Sequence, residues 1–330
     1  MKKKSVVFSA IRPSGDLTIG NYIGVIKKWI ELQNNYNCLY CIADLHALNN
    51  SKDIFLNNCT LDTLSIYLAA GIDPNKSIIF KQSDVYEHTQ LQWILNYFTN
   101  VSELMRMTQF KSKITEGYKV GSSLLNYPLL MASDIILYNT NIVPIGKDQI
   151  QHLEFTRNIV TRFNKIYGSI FTLPNFLTLK YGSKIMSLLE PCKKMSKSDI
   201  NKNNVIFLLD NLNCVVDKIK RSVTDSDNPS FIYYDKKKKP GISNLLVIFS
   251  ELTNKNIITL ENFFFKKKYS FLKERLSDVV LKFLIKLQKK YWMYRKNESY
   301  LINILNKGAL KAKLIAKKTL YKVYKAINIF

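Results

Sequence analysis

The 330-residue sequence contains no run of about 18 uncharged apolar residues, so no membrane-spanning helix is expected. Its start, Met1-Lys2-Lys3-Lys4, is followed only by the short apolar stretch Ser5 to Ile11 before Arg12, so a secretory signal is not expected either. Cysteine is scarce: five residues, odd in number and scattered, which argues against a disulfide framework and for a reducing, cytoplasmic compartment. Cys38 and Cys41 have redox or zinc spacing, but they fall inside an apolar strand pattern and no second Cys/His pair completes four ligands, so they read as structural. The three histidines, His46, His88 and His152, are too dispersed to imply a metal site. Arginine is also scarce, 7 of the 49 basic residues. What is abundant is lysine, against only 25 Asp and Glu, for a formal net charge of +24.

That charge is uneven. Residues 1–190 hold 19 basic and 14 acidic side chains, a net of +5, whereas 191–330 hold 30 and 11, a net of +19. Compositional drift toward Lys and Asn can produce such a bias without any ligand. A positive field still favours a polyanion, with nucleic acid ahead of an anionic membrane surface. Apolar residues make up 47% of the chain, enough to build one large or two medium domains.

Periodicity supplies the architecture. Ser5–Ser9 is a short β-prone run, followed by a turn containing Pro13, Ser14 and Gly15, and then by apolar residues at 19, 22, 23, 26, 29 and 30, one face of a helix. The pattern repeats with a strand at 38–43, a helix over 52–70, a strand at 77–82 and a helix near 87–98. Strands alternating with helices predict a parallel sheet of Rossmann-like α/β type. Residues 100–180 read as mostly helical, an insertion, with a short apolar segment at Ile142–Ile145 before a helix starting near Asp148. The stretch 185–191 reads as strand and runs into Cys192–Asp199, which is too charged for core and reads as a mobile loop. Beyond 215 Lys-rich helical patterns dominate, with a loop near Lys236–Gly241. The expected division is a catalytic unit at 1–190 carrying the inserted region near 105–180, and a helical unit at 191–330.

Two segments carry chemistry. Pro13-Ser-Gly-Asp-Leu-Thr-Ile-Gly-Asn21 lies between the first strand and the first helix, where helix N–H groups and a positive dipole end meet phosphate and glycine lets a nucleotide come close. Alone, it reads equally well as a plain strand-to-helix turn. Lys194-Met-Ser-Lys-Ser198 puts two lysines and two hydroxyls on a loop that can follow charge developing on a leaving phosphate, although it also reads as an ordinary solvated loop. Together, Thr18-Ile-Gly-Asn21 and Lys194–Ser198 resemble the two signature motifs of class I aminoacyl-tRNA synthetases, the second letter for letter. The resemblance narrows to the bacterial tryptophanyl-tRNA synthetases through Phe8–Gly24, Asp44-Leu-His46, Met105–Lys111, Tyr127–Tyr138, Val143–His152, Met186–Ser198, Val223–Asp227 and Lys239–Leu246, and so spans nearly the whole chain.

That family implies a ligase in which tryptophan and ATP give tryptophanyl-adenylate and pyrophosphate, and the amino acid then passes to the terminal adenosine of tRNA(Trp). It implies ATP contacts at Arg12, Pro13, Ser14, Gly20, Asn21, Gly146, Lys147, Asp148, Ile185, Lys194, Met195, Ser196, Lys197 and Ser198. The catalytic set it implies is Thr18, Asn21, Lys194 and Lys197. Asp134 would accept the indole N–H, a donor only, and so exclude phenylalanine; without the family it reads equally as a helix residue bonded to backbone. Tyr127 and Gln149 would hold the ammonium and carboxylate, and Phe8, His46, Met131 and Val143 would line the indole pocket, Met131 and Val143 each reading individually as core. Arg12 stands where the family often has Gln, Lys147 where an acid is frequent, and Leu45 where Gln is common. The resemblance further implies magnesium arriving with ATP, no tightly bound protein metal, a homodimer joined through 105–180, and anticodon reading by the basic C-terminal region. Three other readings stand beside it: the related tyrosyl enzyme, disfavoured by the whole Tyr127–Tyr138 segment; a small adenylyltransferase, which would not need the second unit; and a non-catalytic RNA-binding protein, which would not need both nucleotide motifs.

Overall fold

A computed structural model describes residues 4–13, 16–48, 56–115, 121–146, 149–178, 184–197, 199–227 and 230–330. Among them, five strands, β1 (Val6–Ile11), β2 (Asn37–Ile42), β3 (Ser77–Lys81), β4 (Ile142–Ile145) and β5 (Asn175–Thr178), form one sheet in the order β3-β2-β1-β4-β5, every pair parallel. The near-continuous apolar sequences of β1 and β2 follow from burial on both faces, which only a parallel sheet covered by helices on each side demands. The short helix α1 (Ile19–Asn21) runs through a π-helical stretch, Tyr22–Ile26, into α2 (Lys27–Leu32), and this continuous run packs on one face. Its Trp29 is buried, stacked on Tyr40 of β2 at 4.3 Å, and its carbonyl accepts a 2.7 Å bond from the Tyr40 hydroxyl.

Next come α3 (Asp44–Ala47), α4 (Leu56–Ala70), α5 (Glu87–Asn96), α6 (Val101–Met105), α7 (Thr108–Thr115), α8 (Ser122–Ile136) and α9 (Ile150–Tyr167). The C-terminal third is α10 (Leu212–Arg221), α11 (Pro240–Thr253), α12 (Ile257–Phe264), α13 (Tyr269–Arg295) and α14 (Glu298–Ala326). Two expectations need correction. The stretch 185–191 forms no strand: it makes an isolated antiparallel bridge, Met186 to Lys194, because its partner is the segment immediately downstream rather than the sheet. The region read as mostly helical up to 180 contains β5, whose four residues are too few for a period to emerge.

The last two helices return to the sheet. Helix α13 packs on α4, where Asp62 receives bonds from the Tyr291 hydroxyl at 2.9 Å and from Arg295 Nε at 2.6 Å. Helix α14 lies along the edge strand β3 so closely that a Cβ on Gly308 would stand 1.7 Å from the Ile79 carbonyl oxygen. The edge is thereby covered, which an exposed parallel edge requires. One apolar cluster accordingly joins Val7, Trp29 and Tyr40 with Leu276, Leu284 and Leu301.

Candidate active site

The carboxyl ends of the strands converge. Arg12 and Pro13 follow β1, Asp44 and His46 follow β2, Gln82 follows β3, and Gly146 follows β4. The connection reverses direction between β1 and β4, the switch point at which an open parallel sheet leaves a crevice.

On one side of that crevice, Thr18 caps α1. Its Oγ1 accepts from the Asn21 N–H at 3.1 Å while Asn21 Oδ1 accepts from the Thr18 N–H at 2.9 Å, a reciprocal capping box built with Asn. The Ile19 N–H goes to the Ile206 carbonyl at 2.9 Å and the Tyr22 N–H to the Thr18 carbonyl at 3.1 Å. Of the first turn's donors, the Gly20 N–H is the one left without a protein partner among the described residues. A Cβ on Gly20 would lie 3.3 Å from Thr18 Oγ1, 3.5 Å from Ile185 Cβ and 3.8 Å from Met195 Sδ, so the turn and the Lys-rich loop pack against each other.

That loop is a narrow hairpin. The Ser187 N–H bonds the Lys193 carbonyl at 2.8 Å and the Met195 N–H bonds the Ile185 carbonyl at 3.0 Å. Met195 is buried and its thioether faces Gly20 at the joint, while Lys194 and Ser196 on either side of it are exposed. Lys197 is half-buried, with Nζ 3.5 Å from the Arg12 carbonyl oxygen. Burial, reinforced by the Arg12 charge, pulls its pKa down to about 8. Burial also lowers Arg12, against the opposing influence of nearby Tyr127, although part of its side chain reaches solvent.

On the other side, Asp134 of α8 is 2% exposed and surrounded by donors. Gln82 Nε2 lies 2.8 and 2.9 Å from its two oxygens, His88 Nδ1 lies 2.6 Å from Oδ1, and His46 Nε2 lies 3.0 Å from Oδ2. Burial alone would raise this carboxyl, but the His88 charge and the hydrogen bonds of His46 and His88 outweigh it and hold the group well below the usual carboxylate range. Asp134 is therefore an ionised, acceptor-only group in an apolar wall. The wall includes Phe8 stacked on Tyr138 at 5.6 Å, with the Tyr138 hydroxyl 2.7 Å from His88 Nε2. The Tyr127 hydroxyl meets His152 Nε2 at 2.5 Å and Gln109 Oε1 at 3.1 Å, and burial pushes Tyr127 above the ordinary phenol range.

A family model described as tRNA synthetases class I (W and Y) matches residues 1–285. The tryptophan–tRNA ligase of Buchnera aphidicola subsp. Acyrthosiphon pisum is 58% identical over 327 residues, covering 99% of this chain and 98% of that protein. That of Wigglesworthia glossinidia brevipalpis is 55% identical over 331 residues, covering 100% and 99%. The chain belongs to the bacterial tryptophanyl-tRNA synthetases, of class I. Among solved structures, the Mycoplasma pneumoniae tryptophanyl-tRNA synthetase superposes with a TM-score of 0.90 at 35% identity, covering 98% of each chain. The Campylobacter jejuni enzyme complexed with ADP and tryptophan superposes at 0.83 and 34%, covering 98% of this chain and 99% of that one.

Of the residues that a tryptophanyl-tRNA synthetase is expected to use at the nucleotide end, Arg12 meets Lys197 and Gly20 faces Ile185 and Met195, while Pro13 follows β1, Asn21 closes the cap with Thr18, and Gly146 follows β4. Ser14, Lys147, Asp148 and Ser198 lie outside the described residues. Thr18 is buried and spends its hydroxyl on the cap, so its contribution is the shape of the turn. At the amino-acid end, Phe8 and Val143 are buried on neighbouring strands, His46 touches Asp134, and Met131 packs on the same apolar cluster. Gln149 stands at the N-cap position of α9, its N–H bonded to the Gly146 carbonyl at 3.0 Å.

Gln82, His88 and Tyr138 had no role in the sequence reading. Gln82 carried a usable signal, a buried polar residue directly after a parallel strand. His88 carried none, since its meeting with Asp134 needs the packing of α5 against α8, 46 residues apart in the chain. Among the described residues, no group of three or more His, Cys, Asp or Glu side chains could hold a metal ion, and no helix is long and apolar enough to cross a membrane.

Proposed function

We propose that this chain is a tryptophan–tRNA ligase working in two steps at the crevice beside β1 and β4. Tryptophan carboxylate attacks the α-phosphorus of ATP, pyrophosphate leaves, and the 3′-terminal adenosine hydroxyl of tRNA(Trp) then takes the tryptophanyl group from the adenylate. No protein nucleophile is required; catalysis is positioning plus charge stabilisation. The observation that carries this reading is the packing of the Thr18–Asn21 turn against the hairpin that bears Lys194 and Lys197: Gly20, whose N–H has no protein partner among the described residues, faces Ile185 and Met195, and Lys197 Nζ lies 3.5 Å from the Arg12 carbonyl oxygen. Lys194 and Lys197 would neutralise the departing pyrophosphate. Magnesium enters as part of the ATP complex, held by the phosphates.

Tryptophan is the substrate this pocket suits. Asp134 would accept the indole N–H, Phe8, His46, Met131 and Val143 would flank the ring, and Tyr127 and Gln149 would face the ammonium and carboxylate. The Campylobacter jejuni relative that carries ADP and tryptophan supports both ligand classes. We further infer a homodimer. Trp93 on α5, Tyr97 just after it, and Val101 and Met105 on α6 are exposed large apolar side chains within 13 residues of each other in the chain, at the margin of the inserted region. The +19 charge of 191–330 supports tRNA binding, including the anticodon, by the C-terminal helices. The five free cysteines support a cytoplasmic setting.

The test is pyrophosphate exchange into ATP with each amino acid in turn. Exchange should depend on tryptophan; dependence on tyrosine, or no exchange, overturns the reading.

A further inference from the structure

Asn244, on the second turn of α11, is 5% exposed. Its carboxamide grips the backbone of Met186: the Met186 N–H donates to Oδ1 at 2.8 Å, and Nδ2 donates to the Met186 carbonyl at 2.9 Å. Met186 is the residue that bridges to Lys194 across the hairpin. One side chain thus satisfies both polar groups of one backbone unit at the root of the signature loop, and only a carboxamide supplies one acceptor and one donor in that spacing.

Helix α11 is itself fixed at both ends. At its start, a Cβ on Gly241 would lie 2.2 Å from the Val223 carbonyl, and the N–H of Val223 bonds the Leu188 carbonyl at 2.9 Å, so the helix, residue 223 and the hairpin form one joint. Lys239, the residue before the helix, is 4% exposed and lies 2.9 Å from Asp225 Oδ2 and 2.5 Å from Asp227 Oδ2. At its far end, Glu251 pairs with Lys27 at 2.9 Å, on the helical run that begins with Thr18–Asn21. Helix α11 therefore runs from the hairpin to Lys27 at the start of α2, and Asn244 is where it holds the hairpin.

We propose that Asn244 is a positioning residue for the activation step: through Met186 and the bridge to Lys194, it sets the place of Lys194 and Lys197 over the Gly20 turn. The inference rests on the reading of those lysines as phosphate-neutralising groups. In Asn244→Asp the donor to the Met186 carbonyl is lost and a carboxylate oxygen faces it; in Asn244→Ser the two-point grip is reduced to one bond. Neither change touches a side chain in the crevice.

The experiment measures tryptophan-dependent pyrophosphate exchange, tryptophan affinity by equilibrium dialysis and thermal unfolding for N244D, N244S, K197A and the K197A/N244D double variant. The expected result is an exchange rate lowered at least about tenfold in N244D, and less in N244S, with tryptophan affinity within about twofold of the parent. In the K197A background, N244D should cost less than it does in the parent, since the part of its effect that runs through Lys197 is already lost while the part through Lys194 remains. Additive losses, equal losses of tryptophan affinity and rate, an unchanged rate in N244D, or loss of cooperative unfolding in both Asn244 variants each overturn the inference. If K197A itself leaves the rate intact, the failure lies with the underlying reading of the lysines.

Discussion

Lys197 offers a quantitative test. Its amine is pulled down to about 8, from an ordinary value of 10.5, by burial and by the Arg12 charge, and only the protonated form can neutralise phosphate. With a pKa of about 8, roughly nine in ten molecules carry the charge at pH 7 and roughly one in ten at pH 9. The ratio kcat/KM for ATP reports the free enzyme, so it should fall about tenfold across that window, measured by pyrophosphate exchange at fixed magnesium excess. Under saturating ATP the bound phosphates favour the ammonium, so kcat should hold to higher pH. Stability moves the other way. Between about 8 and 10.5 the unfolded chain binds this proton more tightly than the folded one, so folding gains as pH rises, and the lost activity cannot be charged to unfolding. Tyr127 is raised above its ordinary value and stays neutral throughout. Lys197→Arg keeps a cation at every pH in the window and should abolish the alkaline limb, at a lower plateau because guanidinium geometry differs. An alkaline limb of unchanged midpoint in K197R refutes the assignment.

Asp134→Asn places an NH2 or a neutral carbonyl against donors from Gln82, His46 and His88; the KM for tryptophan should rise about 10- to 100-fold, from roughly 1–3 kcal/mol of unpaired buried polarity, and discrimination against phenylalanine should shrink. Unchanged discrimination would remove Asp134 from the specificity account. Gly308→Ala forces a methyl into the Ile79 carbonyl and should cost about 3 kcal/mol in urea unfolding; a cost below about 0.5 kcal/mol would mean that α14 does not seal the β3 edge. Trp93→Glu with Tyr97→Glu should convert a dimer to monomer in sedimentation velocity, and a retained dimer would move the interface elsewhere.

Much of this molecule was legible because local pattern and tertiary demand coincide. β1, β2 and β3 are apolar on both faces, the helical run after β1 carries an apolar stripe and α4 between β2 and β3 is buried nearly all round, so a parallel sheet covered by helices follows from the sequence. The stretch 185–191 failed for a physical reason. Two of its apolar residues, Ile185 and Leu188, are buried, but they enter the core from a hairpin whose pairing is with its own downstream arm. Composition reports burial; it does not report which neighbour supplies the hydrogen bonds. The site shows the same division. Thr18, Gly20 and the lysine loop stand out as motifs because a contiguous segment does the work. The Asp134 cluster does not: its partners Gln82, His46 and His88 come from three separate segments, Asp134 and His46 were reached only through the family resemblance, and Gln82 and His88 stay unremarked until β2, β3, α5 and α8 pack.

The net charge is where sequence and structure say most when joined. The inner stripe of α14, Leu301, Ile304, Leu305, Gly308, Ala312, Ala316, Leu320 and Val323, is consumed by packing on β3 and its neighbours, and Lys307, Lys311, Lys317, Lys318, Lys322 and Lys325 lie exposed outside it. Packing needs no particular charge at those positions, since glutamate is as good a helix former. Two origins remain, lysine drift and a polyanionic partner, and they differ in how the charge acts. Drift makes each lysine dispensable, whereas a polyanion bound on this face releases counterions in proportion to the contacts made. Because α14 is fixed to the sheet by Gly308, the basic face is rigidly registered to the crevice, so neutralising it in blocks should lower both tRNA affinity and the steepness of its salt dependence. Lys-to-Gln blocks that leave that slope unchanged would assign the excess charge to drift.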